Sequence, residues 1–164
     1  MRVVVMTVSD RCSRGEAVDE SGPALVAMMQ DDLGATIVGT RCIPDERGLI
    51  TAALRDWAEP ANSVDLILTT GGTGLSSRDI TPEAAMEVIE REHPALLDLA
   101  RLRCLESTPM AFLSRGVAGI RGRTLILTLP GSVRGATETL RALRDVLPHA
   151  IQTLRGDPTD HERP

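Results

Sequence analysis

Residues 69–79 read Thr-Thr-Gly-Gly-Thr-Gly-Leu-Ser-Ser-Arg-Asp, and the glycines at 71, 72 and 74 are the sharpest chemical feature of the chain. Three glycines in four positions let backbone N–H groups approach an anion with no Cβ in the way. A helix opening at Thr81-Pro82 would add the positive end of a helix dipole nearby. The loop is not a Walker phosphate loop: no Gly-Lys follows, and all 18 basic residues of the chain are Arg. It also misses the dinucleotide fingerprint, because the sixth position counted from Gly72 is Ser77. A tight strand-to-helix turn without a ligand is the plainer reading of the same residues, and on this ground alone both stand.

Carboxylates accompany the loop. Arg78-Asp79 sets a cation beside an acid within it, and Asp45 follows another strand. Two carboxylates converging on a phosphate-binding loop suit Mg²⁺, a hard ion that takes few carboxylates, several waters and substrate phosphate oxygens. Arg78 has the planar donor fork for a phosphate. The alternatives are a helix cap for Asp45 and a solvated ion pair between Arg78 and Asp79. Ser114, Arg115 and the glycine-punctuated run to residue 123 offer hydroxyl, guanidinium and backbone donors for an anionic or heteroaromatic ligand; a β-turn with solvated arginines is the plainer alternative. His93, His149 and His161 lack metal-ligand spacing, and no Gly-x-Ser-x-Gly element supplies a hydrolase nucleophile.

The elements that would position these groups follow from apolar periodicity. Residues 3–8, 64–69 and 124–129 are short, apolar runs closed by turn residues, as expected for strands buried on both faces, and residues 36–43 read as a further strand ended by Pro44. Helical spacing follows Ser21-Gly22-Pro23 (Ser21 as cap, Gly34 as stop), follows Asp45, follows Thr81 to about residue 91, resumes after Pro94, and runs over 133–154 with an interruption at Pro148. Residues 112–123 read as short strand pieces and a turn. Strands and helices alternate, so the expected architecture is α/β: a three-layer sandwich of a mainly parallel sheet with helices on both faces. No linker or repeat divides the chain. One domain is expected over residues 1–155, with a polar tail over 156–164.

In an open α/β sheet, ligands bind beyond the carboxyl ends of the strands. Four segments then converge on one rim: Ser9-Asp10-Arg11, Pro44-Asp45-Glu46, Thr70-Gly71-Gly72-Thr73-Gly74 and Pro130-Gly131-Ser132.

Bulk properties remove several classes of function. A net charge of -5, with one Phe, one Trp and no Tyr, argues against nucleic acid as a partner, which needs a basic face and stacking rings. Cys12, Cys42 and Cys104 form no Cys-x-x-Cys pair, so reduced thiols are expected rather than zinc or a redox dithiol. Neither a signal-peptide pattern nor a membrane-length apolar run occurs, which predicts a cytoplasmic protein that engages no membrane.

Residues 7–23, 44–46, 69–83 and 108–131 resemble, in order, successive blocks of the molybdopterin adenylyltransferase family, which includes bacterial Mog and MoaB proteins and the gephyrin G domain. The glycine block extended through Arg-Asp-Ile-Thr-Pro-Glu is its most specific part. The resemblance implies adenylylation of molybdopterin by ATP with Mg²⁺ and release of pyrophosphate. It also implies a homotrimer, with a hexamer left open, and a molybdate-inserting protein that receives the product. Asp45 and Asp79 match the family's essential acidic positions, and Gly71, Gly72, Thr73 and Gly74 its ligand loop. Ser114, Pro130 and Gly131 match positions lining the site. Some members carry Asn after the Pro-Gly pair; Ser132 here is shorter and lacks the amide. The alternatives are a non-catalytic molybdopterin-binding or scaffold protein of the same family and, more remotely, a nucleotide-binding oxidoreductase.

Overall fold

The computed structural model describes residues 1–156. In chain order its elements are β1 (Arg2–Val8), α1 (Asp10–Ser13), α2 (Ser21–Leu33), β2 (Thr36–Ile43), α3 (Arg47–Trp57), β3 (Leu66–Thr70), α4 (Thr81–Met86), β4 (Arg91–Glu92), α5 (Pro94–Cys104), β5 (Ala118–Arg121), β6 (Thr124–Leu129), α6 (Val133–Leu143) and α7 (Leu147–Arg155). Of the polar tail expected over 156–164, only Gly156 is described, and it closes α7 in the left-handed conformation (φ 71); the rest of that expectation lies outside the described residues.

The six strands lie in the order β2-β1-β3-β6-β5-β4. β2, β1, β3 and β6 run parallel, while β5 and β4 add an antiparallel edge. Register explains why the central strands are apolar at nearly every position. The row Val3, Leu66 and Leu125 faces α2, α5, α6 and α7, whereas the next row, Val4, Ile67 and Ile126, faces α3 and α4. Alternate side chains thus enter two separate cores, giving a three-layer α/β sandwich. Burial of each large side chain contributes about 2 kcal/mol, against about 1–2 kcal/mol for ordering its backbone. Strands buried on both faces tip that balance. No helix among the described residues is long and apolar enough to cross a membrane.

Several local expectations are corrected. α2 begins at Ser21, and the Asp19 carboxylate, not the Ser21 hydroxyl, accepts the Gly22 N–H at 3.0 Å. The helix expected to reach about residue 91 stops at Met86. Val88 and Ile89, β-branched and stiff in a helix, turn into the sheet instead: Glu90 N–H bonds Ile120 O at 2.9 Å, and Arg91–Glu92 forms β4. Gly119 makes room for Ile89, since a Cβ there would sit 2.3 Å from Ile89 Cγ2. The Thr81 hydroxyl caps nothing, and Ile80 holds the cap position. Between β1 and α2 lies a short helix, α1, that the strand-and-helix reading of the sequence did not include, capped by the Ser9 hydroxyl, which accepts the Cys12 N–H.

At the opposite end of the strands from the glycine loop, Asp65 ties the sheet to the last helix. Its carboxylate accepts the Arg2 backbone N–H (2.6 Å) and two Arg155 guanidinium N–H groups (2.8 and 2.5 Å). Burial alone would raise its pKa, but Arg155 and the Arg2 N–H outweigh burial and hold it below the usual value of 3.8. The contribution to stability is therefore full above that value and is lost as pH falls through the depressed one. Asp65→Asn is expected to lose about 2 kcal/mol of unfolding free energy at pH 7. In urea titrations the gap to the native chain should narrow as pH falls below the ordinary Asp range; a gap that stays constant on acidification, or none at pH 7, contradicts this role.

Candidate active site

The glycine loop leaves β3 beneath two close backbone approaches. Gly71 (φ 104) lies so near β1 that a Cβ would stand 2.2 Å from the Val8 carbonyl oxygen. Gly131, at the exit of β6, packs onto it from the other side, where a Cβ would be 3.0 Å from Gly71 Cα. The Thr70 hydroxyl fastens the seam by donating to Pro130 O at 2.7 Å. Gly72 (φ 64) then turns the chain past Thr81 and Asp45, whose Oγ1 and Oδ1 would lie 2.3 and 3.0 Å from a Cβ there. Gly71 and Gly72 require glycine for room and for φ together, and Gly131 for room alone.

The acids arrive from different crossovers. Asp45, after β2, and Asp10, after β1, clasp one another: Asp10 N–H donates to Asp45 Oδ2 at 2.8 Å, and Asp45 N–H to Asp10 Oδ1 at 3.0 Å. This removes the helix-cap alternative for Asp45, since Glu46 occupies the cap of α3. Asp79 folds back toward Gly74 and accepts the Ser76 N–H at 2.8 Å. Asp45 and Asp79 line one cleft of about 390 Å³ together with Ser9, Gly71, Gly72, Gly131 and Ser132. A second cleft of about 300 Å³ is walled by Thr73, Gly74, Ser114, Pro130, Met110 and Leu113, among others, and shares Gly131 and Ser132 with the first. The Thr73 and Ser114 hydroxyls bond at 3.0 Å. All four strand exits therefore contribute to one bipartite site.

Three expected residues behave differently. Arg78 and Asp10 join neither cleft wall and pair with each other at 2.5 Å, in place of the Arg78–Asp79 pair weighed as an alternative. That guanidinium hydrogen bond holds the Asp10 carboxyl below its ordinary pKa. Ser132 accepts the Gly135 N–H at 3.1 Å and caps α6, so its hydroxyl serves the helix, a task that Ser performs as well as Asn. One residue, Asp19, escaped sequence reasoning, and another, Arg115, takes a part that neither of its two sequence readings gave it. Asp19 lines the acidic cleft, accepting the Thr7 hydroxyl at 2.6 Å; its place three residues before Gly22 was a capping signal. Arg115 is threaded into the glycine loop instead of being solvated, its N–H bonding Thr73 O at 2.8 Å.

Whether these residues fit a divalent cation can be tested on the electrostatics. Burial first, then the neighbouring Asp10 and Asp79 charges, raise the Asp45 pKa, opposed by the Asp10 N–H and Arg78. A carboxylate in that state gains from an adjacent cation. Among the described residues no group of three or more His, Cys, Asp or Glu forms a metal cage. Oxygen donors from two acids at a cleft large enough for phosphate suit Mg²⁺, which retains waters and ligand oxygens. The fit is good.

A family model described as "Probable molybdopterin binding domain" matches residues 4–149. The chain is 40% identical over 93% of its length to the Drosophila melanogaster molybdenum cofactor synthesis protein cinnamon, but spans only 25% of that larger protein. It is 37% identical to the Escherichia coli K12 molybdopterin adenylyltransferase, covering 95% of this chain and 86% of the enzyme. The crystal structure of the molybdopterin biosynthesis enzyme MoaB from Thermus thermophilus superposes with a TM-score of 0.89 at 50% identity, covering 96% of this chain and 98% of that one.

The seam makes a direct stability test. Gly71→Ala meets both a positive φ and a backbone oxygen, and is expected to lose about 2–3 kcal/mol in urea unfolding. Gly48→Ala, in α3 with nothing within 4 Å of the new methyl, should gain about 0.5–1 kcal/mol. Equal effects at both sites would show that the seam imposes no constraint.

Proposed function

The chain belongs to the molybdopterin-binding domain family, and from that premise we propose that it transfers AMP from Mg-ATP to the terminal phosphate of molybdopterin. The observation that carries this reading is the convergence of Asp45 and Asp79, from two separate crossovers, on one cleft beside the glycine loop. A phosphate oxygen of molybdopterin attacks the α-phosphorus of ATP, the bond from that phosphorus to the bridging β-oxygen breaks, and pyrophosphate leaves with the electron pair. Placing the two phosphates in line and neutralising their charge can supply most of the rate in such chemistry.

The chain's own residues divide this work. Gly71, Gly72 and Gly74 let backbone approach the phosphates without a Cβ between. Asp45 and Asp79 would hold Mg²⁺, which when bound offsets charge on the triphosphate. Asp10 and Arg78 keep Asp45 in place through the mutual clasp and the ion pair. Ser9 and Ser132 edge the acidic cleft, while Thr73, Ser114 and Pro130 wall the neighbouring, less charged one. Gly131 and Ser132 line both clefts, which supports the two substrates lying side by side as the direct attack requires.

The wider role follows the same reading. Leu102, Leu105 and Phe112 are large apolar side chains exposed on and after α5, and exposed apolar surface of this kind supports subunit contact in a homotrimer. The three free thiols fit a reducing cytoplasm. The adenylylated product would pass to a molybdate-inserting protein.

Asp79→Asn and Asp45→Asn are each expected to slow molybdopterin-dependent pyrophosphate release by about 100-fold or more, with urea unfolding little changed. The raised Asp45 pKa of the metal-free chain means that its Mg²⁺ affinity should weaken on acidification before that of a site built on ordinary Asp would. Near-native pyrophosphate release in the Asp79 variant would remove the metal assignment. Molybdopterin binding without any release in the native chain would leave a binding protein in place of an enzyme.

A further inference from the structure

The residue that fixes the glycine loop is not in it. Residues 75–78 form an exposed excursion of the loop, tied internally by the reciprocal Ser76 and Asp79 bonds. Arg115, some 36 residues later, reaches both ends of that excursion. Its Nε–H donates to Gly74 O at 2.7 Å, its Nη2 donates to Asp79 O, and its Nη1 pairs with Glu83 of α4. Its own backbone N–H donates to Thr73 O at 2.8 Å. A planar guanidinium with fixed N–H directions is the one side chain that can hold two carbonyls and a carboxylate at set spacing.

The clamp is itself anchored to the frame. Arg101 of α5 donates to the carbonyls on either side of Arg115, Ser114 O at 3.2 Å and Gly116 O at 2.9 Å, while pairing with Asp98 at 2.9 Å. Gly116 is pressed against β6, where a Cβ would be 2.3 Å from Thr128 O. Sheet and α5 therefore fix segment 114–116, that segment fixes Arg115, and Arg115 fixes the span from Gly74 to Asp79.

We infer that Arg115 is a positioning residue: by bridging the two ends of the exposed 75–78 excursion it sets where the Asp79 carboxylate stands in the cleft. Its consequence for turnover rests on the adenylyl-transfer reading; its consequence for loop order does not. The Lys alternative is informative, because an ammonium can keep the Glu83 pair but cannot span two carbonyls in one plane.

The test compares amide hydrogen exchange and steady-state kinetics in the full-length chain and in Arg115→Gln, Arg115→Lys and Glu83→Gln. In both Arg115 variants exchange over residues 75–79 should quicken by about tenfold or more while that in β3 and β6 stays native. Turnover should fall about 100-fold and the Mg²⁺ concentration for half-maximal rate should rise, with KM for molybdopterin changed by less than about twofold. Glu83→Gln, which loses only the ion pair, should keep native loop exchange. Native loop exchange in Arg115→Gln, or full rescue by Arg115→Lys, would overturn the inference; should the Gln variant fail to fold, the Lys variant carries the same comparison. If the native chain transfers no adenylyl group, the functional reading falls while exchange still decides the clamp.

Discussion

Backbone meets backbone where β3 ends. Gly71 is wedged between the Val8 carbonyl and Gly131, and this contact joins the exits of β1, β3 and β6 into a single seam. Any side chain there would force the strand ends apart, and with them the loops that carry the acids and hydroxyls. The two apolar layers set the strands in register; the seam converts that register into a site. Packing of the core and geometry of the clefts are in this sense one constraint seen from two ends of the strands.

Electrostatics then works on what the seam assembles. Asp10, Asp45 and Asp79 lie close enough for Asp45 to feel both neighbours. The chain manages part of that repulsion with Arg78, which sits on Asp10, and with backbone N–H groups shared between Asp10 and Asp45. What remains is an acid destabilised by burial and by like charge at the mouth of a phosphate-sized cleft. Such an arrangement is poor for stability and good for capturing a cation with its phosphate ligands. A scaffold protein would have no reason to maintain it.

The parts of this arrangement that were legible in the sequence are those written in local patterns. Continuous apolar runs ending in Ser9, the glycine loop and Pro130-Gly131 revealed three parallel strands and their exits, because burial on both faces leaves no polar alternation; β2, a largely exposed edge strand, was legible from its closure at Pro44. The family resemblance of residues 69–83 supplied the chemistry that the glycines alone could not. Pairings between distant residues were not legible. Arg78 reaches Asp10 across 68 positions, and Arg115 reaches Glu83 across 32; no local periodicity encodes such partners. β4 was read as helix because Val88 and Ile89 continue an apolar rhythm, and only Gly119 on a neighbouring strand shows where Ile89 goes. Ser132 is a similar case: its shortness beside Asn suggested a lost contact, while its hydroxyl is occupied in capping α6.

The central claim is that the two clefts bring a pterin phosphate and the α-phosphorus of ATP together. Its most direct measurement is mass analysis of molybdopterin after incubation with the purified chain and Mg-ATP. Adenylylated molybdopterin, formed with one pyrophosphate per product, is the expected result. Recovery of unmodified molybdopterin from a chain that demonstrably binds it would contradict the account.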